Sequence, residues 1–302
     1  MFPSLLLLAV TFMQNPVEVK NNHVLMRAIE FAPADANQKL SRPLLMDVAF
    51  PTKTKEELPA IIFVHGGGWS NGKRQDGSRY IELFAEGGYF AATIDYRLSR
   101  EAGFPAAVHD CKAAIRFLRT NANSLGVDPN RIGIIGVSAG GHLASLVGCS
   151  ADNTYLNGAI NGRDESTEVV CIGSISGAVR PQNSTGNGKK MYEAWALHDS
   201  SVELALTLPE HYLDKNDPPI YLLCGEKDMV CPVKEAESFV QILKSKAVPF
   251  EMSVVPNQGH QISEPSAYVG LLSFLDKHLG GHAETSFEEF LEKRETSGRG
   301  RK

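Results

Sequence analysis

The sequence predicts an α/β fold, with a mostly parallel central β-sheet and helices packed on both of its faces. Strand-like apolar runs alternate with helical patterns over most of the chain, an order typical of parallel sheets. The run from Leu58 to Val64 is almost continuously apolar, as expected of a strand buried on both faces. With 302 residues, 43% of them hydrophobic, the chain can bury one sizeable core, and no repeat or linker divides it.

The first half of the predicted domain contains four strands and one helix. "HVLMRAIEFA" at 23–32 and "PLLMDVAFP" at 43–51 carry alternating or continuous apolar residues, with turn residues between them. "LPAIIFVHGGG" at 58–68 is the third strand, running into a glycine loop. "SRYIELFAEGG" at 78–88 has a helical pattern that ends at two glycines, and "YFAATIDYRLS" at 89–99 is again a strand.

The second half begins with the longest helical pattern, at 104–127, where apolar residues recur at helical spacing. "DPNRIGIIGVSAGGHLASLVGC" at 128–149 predicts a turn, a strand, a sharp turn and a helix. Three more strands follow in "VVCIGSISG", "PPIYLLCGEKD" and "PFEMSVVPNQGH". Helices in "VKEAESFVQILKSKAV" and "AYVGLLSFLDKHL" complete the domain. Residues 178–218 lack strong periodicity and are interpreted as an insertion or cap between two strands.

The chain ends lie outside the predicted domain, which covers residues 21–282. Within residues 1–20, the apolar run Leu5–Val10 suits a secretory signal and is too short to span a membrane. No Lys or Arg precedes this run and no clean A-x-A site follows it. We expect a secreted or periplasmic protein, or a disordered N-terminus on a cytoplasmic one. For residues 283–302 we expect a surface helix and a disordered tail.

Charge and cysteine content argue against several classes of function. The net charge of −5 gives no reason to expect a nucleic-acid partner, because such proteins usually carry a basic patch. Five cysteines, an odd number without a C-x-x-C pattern, argue against a disulfide scaffold and a zinc site. Whether Cys224 and Cys231 pair is left open, and so is the oligomeric state. No segment after the N-terminal run is long enough to span a membrane.

The motif "GVSAG" at Gly136 to Gly140 indicates a nucleophilic serine. It follows a predicted strand and precedes a predicted helix, which is the context of a nucleophile elbow. The flanking glycines are needed because the turn leaves no room for Cβ atoms beside the serine. The turn raises the Ser138 hydroxyl above the sheet, where the helix N-terminus favours developing negative charge.

A serine needs a base to become a nucleophile, and an acid to orient that base. His260 and Asp228 each follow a predicted strand, so both are expected at the same rim of the sheet as Ser138. The rivals are Glu226 for the acid and either His278 or His282 for the base. Glu226 comes earlier in its loop, and the two histidines flank the end of a helix, where a structural role is common.

The three glycines after His65 are interpreted as donors to an oxyanion. Acyl transfer places negative charge on the substrate carbonyl oxygen, and preorganised N–H groups stabilise that charge. Such donors come from the loop after an early strand and from the residue after the nucleophile. We therefore predict an oxyanion hole made by the N–H groups of Gly67, Gly68 and Ala139. His65 is expected to brace this loop rather than to act as the base.

The segments "HGGGW", "DYRL", "GVDPNRIGIIGVSAGGHLA", "GEKDMVCP" and "NQGH" together resemble the α/β-hydrolase superfamily. Within it, the esterase group with acetyl-xylan and feruloyl esterases and hormone-sensitive-lipase-like carboxylesterases is the most similar. The resemblance implies an α/β-hydrolase fold and the same triad and donors. It also implies structural roles for Asp95, Tyr96, Arg97 and Asp110.

One departure from the hormone-sensitive-lipase-like pattern concerns the cap. Those enzymes carry helical cap segments before the HGGG loop, whereas here the corresponding region predicts strands. Any cap must then come from residues 178–218. This favours an open site of the acetyl-esterase type over a long-chain lipase.

The sequence therefore predicts a serine esterase that removes short acyl groups such as acetyl from a small-molecule or carbohydrate ester. Neither a metal nor an organic cofactor is expected. An alternative is amide hydrolysis, since arylformamidases and some serine peptidases resemble parts of this pattern. A third reading is a non-catalytic hydrolase-fold binding protein, against which the complete set of Ser138, Asp228 and His260 argues.

Overall fold

The computed structural model describes residues 15–20, 22–54, 56–160, 165–199 and 201–280, which form one nine-stranded β-sheet with helices on both faces. The strands are β1 (Val17–Lys20), β2 (His23–Ala32), β3 (Leu44–Pro51), β4 (Leu58–Val64), β5 (Phe90–Ile94), β6 (Val127–Val137), β7 (Ile172–Ile175), β8 (Ile220–Gly225) and β9 (Phe250–Val255). The helices are α1 (Ser78–Glu86), α2 (Ala106–Thr120), α3 (Ala122–Leu125), α4 (Ala139–Gly148), α5 (Thr154–Asn157), α6 (Gly186–Ala196), α7 (Val233–Ser245) and α8 (Val269–Leu279).

The strand order across the sheet is β1-β2-β3-β5-β4-β6-β7-β8-β9. The run from β5 to β9 is parallel throughout, while β1, β2 and β3 extend the sheet through antiparallel pairs. The prediction of a mostly parallel sheet is confirmed. Because β4, β6, β8 and β9 all end at the same rim, the loops that follow them lie together.

The core has two layers, one on each face of the sheet. Helices α1 and α8 pack on one face, and α2, α4, α6 and α7 pack on the other. Every residue of α4 is buried, and its first turn packs against the end of β4. This close approach is possible because α4 begins with Ala139, Gly140 and Gly141.

A buried ion pair fixes the loop after β5 to helix α2. The Arg97 guanidinium donates to both Asp110 carboxylate oxygens over 2.6–3.0 Å, and the Arg97 backbone N–H donates to Oδ2 over 2.7 Å. Both side chains are almost completely buried. Asp95 accepts from the Arg74 side chain over 3.0 Å. These contacts agree with the structural roles that the resemblance implied for this segment.

Three features of the fold differ from the sequence prediction. Strand β1 begins at Val17, before the predicted domain boundary at residue 21, and its valines are exposed, so it carried no core-facing pattern. The short helix α5 was not predicted. Strand β5 ends at Ile94, and the rest of its predicted range is loop.

The insertion consists of α6 and three short 3₁₀ turns at Pro181–Asn183, Leu204–Thr207 and Pro209–His211. All five cysteines are free thiols, so Cys224 and Cys231 are not joined. The predicted signal run Leu5–Val10 and the C-terminal segment 283–302 lie outside the described residues.

Candidate active site

Ser138 lies at the sharp turn between β6 and α4. Its backbone angles are φ 55° and ψ −121°, a conformation that residues other than glycine rarely adopt. Its glycine neighbours have no room for side chains. A Cβ atom at Gly136 would lie 2.1 Å from the Gly140 carbonyl oxygen, and one at Gly140 would lie 2.1 Å from the Val64 carbonyl oxygen. The turn has the strained geometry predicted from "GVSAG", and Ser138 lines a cavity.

His260 forms hydrogen bonds through both of its ring nitrogens. Nε2 lies 3.0 Å from Ser138 Oγ, and Nδ1 lies 2.9 Å from Asp228 Oδ2. An ionised carboxylate can only accept, so Nδ1 carries the hydrogen and Nε2 is free to accept from the serine hydroxyl. Asp228 is 4% exposed, and its Oδ1 accepts from the N–H groups of Val230 and Cys231 over 2.8 Å each. Asp228 therefore fixes the tautomer and orientation of the imidazole.

The loops that carry Asp228 and His260 hold each other in place. They follow β8 and β9, which are neighbouring parallel strands. The Lys227 N–H donates to the Gln258 carbonyl over 2.8 Å. A Cβ atom at Gly225 would lie 2.2 Å from the Gly259 carbonyl oxygen, so the two loops touch through their backbones. The structure thus brings the three predicted residues together at the rim where strands β6, β8 and β9 end.

The alternative candidates for the acid and the base have different contacts from those of Asp228 and His260. Glu226 is exposed, and its Oε2 accepts from the Asn257 N–H over 2.8 Å. His278 lies on α8, where its ring is 4.6 Å from the ring of Phe274 and desolvation lowers its pKa. His282 lies outside the described residues.

The glycine loop after β4 lines the cavity together with the start of α4. Gly67 has φ 115° and Gly68 has φ 59°, values that favour glycine. A Cβ atom at Gly67 would lie 2.1 Å from the Asn71 carbonyl oxygen. Among the hydrogen bonds of the described residues, none uses the N–H of Gly67, Gly68 or Ala139. These three N–H groups, all on residues that line the cavity, remain available to a ligand.

His65 lies behind this loop and is 2% exposed. Its Nδ1–H donates to the Gly66 carbonyl over 2.7 Å, and its ring stacks on Tyr96 at 4.3 Å. The Tyr96 hydroxyl donates to the His65 carbonyl over 3.0 Å. Burial lowers the pKa of His65, which keeps the imidazole neutral. These contacts agree with the predicted bracing position.

A second brace, which the sequence interpretation missed, joins the glycine loop to the nucleophile helix. Trp69 Nε1–H donates to His142 Nδ1 over 3.2 Å, and His142 Nε2–H donates to the Thr207 carbonyl over 2.8 Å. His142 is fully buried, and burial lowers its pKa to about 4. His142 lies one helical turn after Ser138. The sequence signal that could have predicted this brace was a histidine on the buried face of α4, together with the tryptophan of "HGGGW".

The insertion covers the glycine loop from the outside. The Trp195 ring of α6 stacks on the Trp69 ring with centroids 5.6 Å apart. A Cβ atom at Gly68 would lie 2.0 Å from Met191 Cε, so Met191 rests directly on the loop. The Tyr192 hydroxyl lies 2.6 Å from the Thr207 hydroxyl. The insertion therefore forms part of the wall of the site.

The cavity that contains Ser138 and His260 has a volume of about 640 Å³. Its lining combines an apolar part with a few polar side chains, as is typical of small-molecule sites. The apolar side chains are Trp69, Val137, Ile175, Ala178, Met191, Val230 and Ile262, and the polar ones include Asp76, Arg79, Ser184 and Gln261. Within the described ranges, no three His, Cys, Asp or Glu side chains are grouped so that they could hold a metal ion.

No helix among the described residues has the length and apolar character needed to cross a membrane.

Comparison with known proteins gives a family and several relatives. The BD-FAE family model matches residues 46–243. Esterase LipC of Mycobacterium tuberculosis is 32% identical over 206 residues, which are 65% of this chain and 50% of LipC. The chain thus spans about half the length of this curated relative.

Solved structures share the fold. A truncated carbohydrate esterase from gut microbiota superposes with a TM-score of 0.73 at 20% identity, covering 88% of this chain and 100% of that one. A bifunctional GH43-CE protein of Bacteroides eggerthii gives a TM-score of 0.73 at 26% identity, covering 84% of this chain and 38% of that one. The fold is that of the α/β hydrolases.

Proposed function

The chain belongs to the BD-FAE family of α/β hydrolases, and we propose that it cleaves short-chain carboxylic esters with Ser138 as the nucleophile. The observation that carries the proposal is the pair of hydrogen bonds made by His260, to Ser138 and to Asp228. A serine hydroxyl is a weak nucleophile until an oriented base can take its proton. Similarity to esterase LipC supports ester bonds as the target.

Acylation begins when Ser138 Oγ attacks the ester carbonyl carbon. His260 Nε2 takes the hydroxyl proton, and the buried Asp228 carboxylate stabilises the resulting imidazolium. The carbonyl oxygen becomes negatively charged and accepts hydrogen bonds from Gly67, Gly68 and Ala139, near the N-terminus of α4. When the intermediate collapses, His260 gives its proton to the leaving alcohol, and the acyl group stays on Ser138.

Deacylation reverses these roles with water. His260 removes a proton from a water molecule, whose oxygen attacks the acyl carbon and forms a second oxyanion in the same place. Collapse of this intermediate releases a carboxylic acid, and His260 returns a proton to Ser138 Oγ. Each step uses side chains and N–H groups of this chain, together with substrate and water.

Short acyl groups suit the cavity best. Its volume of about 640 Å³ must hold both the acyl group and the alcohol, and Met191 of the insertion limits its extent beside the glycine loop. We propose acetyl and butyryl esters as preferred model substrates. Because one protein that shares the fold is described as a carbohydrate esterase, acetylated carbohydrate is the natural substrate to test first.

The test combines active-site labelling with a substrate panel. The protein should react with a fluorophosphonate probe, and Ser138→Ala should remove the labelling because it removes the hydroxyl that lies 3.0 Å from His260 Nε2. The panel contains 4-nitrophenyl acetate, butyrate and octanoate, acetylated xylan and N-formylkynurenine. We expect the highest kcat/KM with the acetyl and butyryl esters.

Three results would contradict the proposal. Labelling of the Ser138→Ala variant would mean that another residue is the nucleophile. A kcat/KM that rises with chain length would indicate a lipase-like site. A clear preference for N-formylkynurenine over every ester would favour the amide-hydrolase alternative.

A further inference from the structure

Arg79 is an arginine of the cavity wall that the proposed mechanism does not use. It lies in the first turn of α1 and lines the same cavity as Ser138. Its guanidinium carbon is 4.7 Å from the centroid of the Tyr80 ring, and Nη2 donates to the Tyr80 hydroxyl over 2.8 Å. Nη2 also lies 3.4 Å from both the Tyr268 hydroxyl and the Ile262 carbonyl oxygen. These contacts restrain the cation at the cavity wall.

No carboxylate of the described residues neutralises this cation. Six other arginines form ion pairs with Asp or Glu within 4.0 Å, namely Arg27, Arg42, Arg74, Arg97, Arg131 and Arg180, whereas Arg79 forms none. Asp76, whose carboxylate side chain also lines the cavity, accepts from the Lys73 N–H over 3.1 Å. The Nε and Nη1 donors of Arg79 have no hydrogen-bond partner in the part of the chain that the structure describes.

We propose that Arg79 forms a carboxylate-binding subsite, so that the esters this cavity prefers carry a free carboxylate in addition to the ester bond. The inference rests on the proposed ester hydrolysis and narrows its substrate class. A guanidinium without a counter-ion recognises oxyanions through charge-assisted hydrogen bonds, which are stronger than neutral ones. The partly apolar cavity strengthens this attraction, because it replaces part of the surrounding water.

The carboxylate can belong to the alcohol or to the acyl group, and two pairs of esters distinguish these sources. On the alcohol side, 3-acetoxybenzoate is compared with its neutral methyl ester. On the acyl side, monophenyl adipate is compared with phenyl hexanoate. In each pair the charged and neutral members have similar size, so the ratio of their kcat/KM values reports recognition of the carboxylate.

We expect one pair to show a ratio of about ten in favour of the charged ester at low ionic strength. In Arg79→Gln the ratio should fall to about one, and Arg79→Lys should keep part of it, because the charge remains without the guanidinium donors. Arg100→Gln is the matched control, since Arg100 is exposed and does not line the cavity. It should keep the full ratio. A ratio near one for both pairs in the unmodified protein, or an unchanged ratio in Arg79→Gln, would overturn the proposal.

A binding measurement separates this inference from the proposed function. Calorimetry compares the charged and neutral members of both pairs as ligands of Ser138→Ala, and then of the Ser138→Ala, Arg79→Gln double variant. Tighter binding of the charged ligand that is lost in the double variant supports the subsite, even if no ester in the panel is hydrolysed. Equal binding of the charged and neutral ligands in both pairs to Ser138→Ala refutes the subsite, even if ester hydrolysis is rapid.

Discussion

Asp228 and Glu226 lie in one short loop, but their surroundings differ so much that their carboxylates have different roles. Asp228 is buried, and its two oxygens accept from His260 and from two backbone N–H groups. Glu226 is exposed and accepts from the backbone of Asn257. Only the first can orient an imidazole and stabilise its charged form. The second helps to shape the loop that follows β9.

This difference predicts unequal effects of removing each charge. Asp228→Asn should lower kcat by about 10⁴, the cost of the equivalent change in a serine protease, because the amide can favour the wrong imidazole tautomer. Glu226→Gln should lower kcat by less than about tenfold, since it weakens one hydrogen bond at an exposed site. The measurement is kcat with 4-nitrophenyl acetate, with circular dichroism to show that both variants are folded. Greater damage in Glu226→Gln would reverse the assignment.

At the scale of elements, the oxyanion loop depends on contacts with two other parts of the fold. Trp69 links it to α4 through His142, and His142 links it to the insertion through Thr207. Trp195 stacks on Trp69, but its own Nε1 has no hydrogen-bond partner among the described residues. The chain contains two tryptophans, and both lie in this cluster.

The brace predicts a specific loss when its hydrogen bond is removed. Trp69→Phe should lower kcat about fivefold with little change in KM, because it removes a buried hydrogen bond of about 1 kcal/mol that positions donors used in the transition state. Trp195→Phe is the matched control, because it removes a stacked indole without removing a hydrogen bond. It should change kcat by less than about twofold. Equal losses in both variants would mean that packing, and not the hydrogen bond, holds the loop.

Strands and helices that have a recognisable apolar pattern could be predicted from the sequence, whereas contacts between distant segments could not. Strands β2 to β9 were recognisable because their apolar runs are bounded by turn residues. Ser138, Asp228 and His260 could be named because each follows a strand of the same parallel sheet. The exposed strand β1 has no core-facing side. The contact of Met191 with Gly68 depends on where an irregular insertion folds, which no local pattern specifies.

For the whole molecule, burial of neutral histidines links folding to pH. Burial lowers the pKa of both His142 and His109 to about 4, and it also lowers that of His65. These groups bind protons in the unfolded chain near pH 6 but stay neutral in the folded one, so acid favours unfolding. Two carboxyls act in the opposite direction. Burial raises the pKa of Asp217 to about 6 and also raises that of Asp110, so the folded state holds extra protons at these groups.

The three histidines outnumber these two opposing carboxyls, so the free energy of unfolding should fall as pH decreases from about 6.5 to about 4. His142 is fully buried, and its share can be isolated by His142→Gln, which removes the titrating group. This variant is expected to be less stable at neutral pH, but its stability should decline less steeply, by about 1 kcal/mol per pH unit within that window. His211→Gln, which removes an exposed histidine, should keep the original slope. Urea unfolding followed by tryptophan fluorescence at pH 7.5, 6.5, 5.5 and 4.5 measures these slopes. If His142→Gln and the unmodified protein lose stability in parallel, His142 is protonated in the folded state and its neutral role in the brace is wrong.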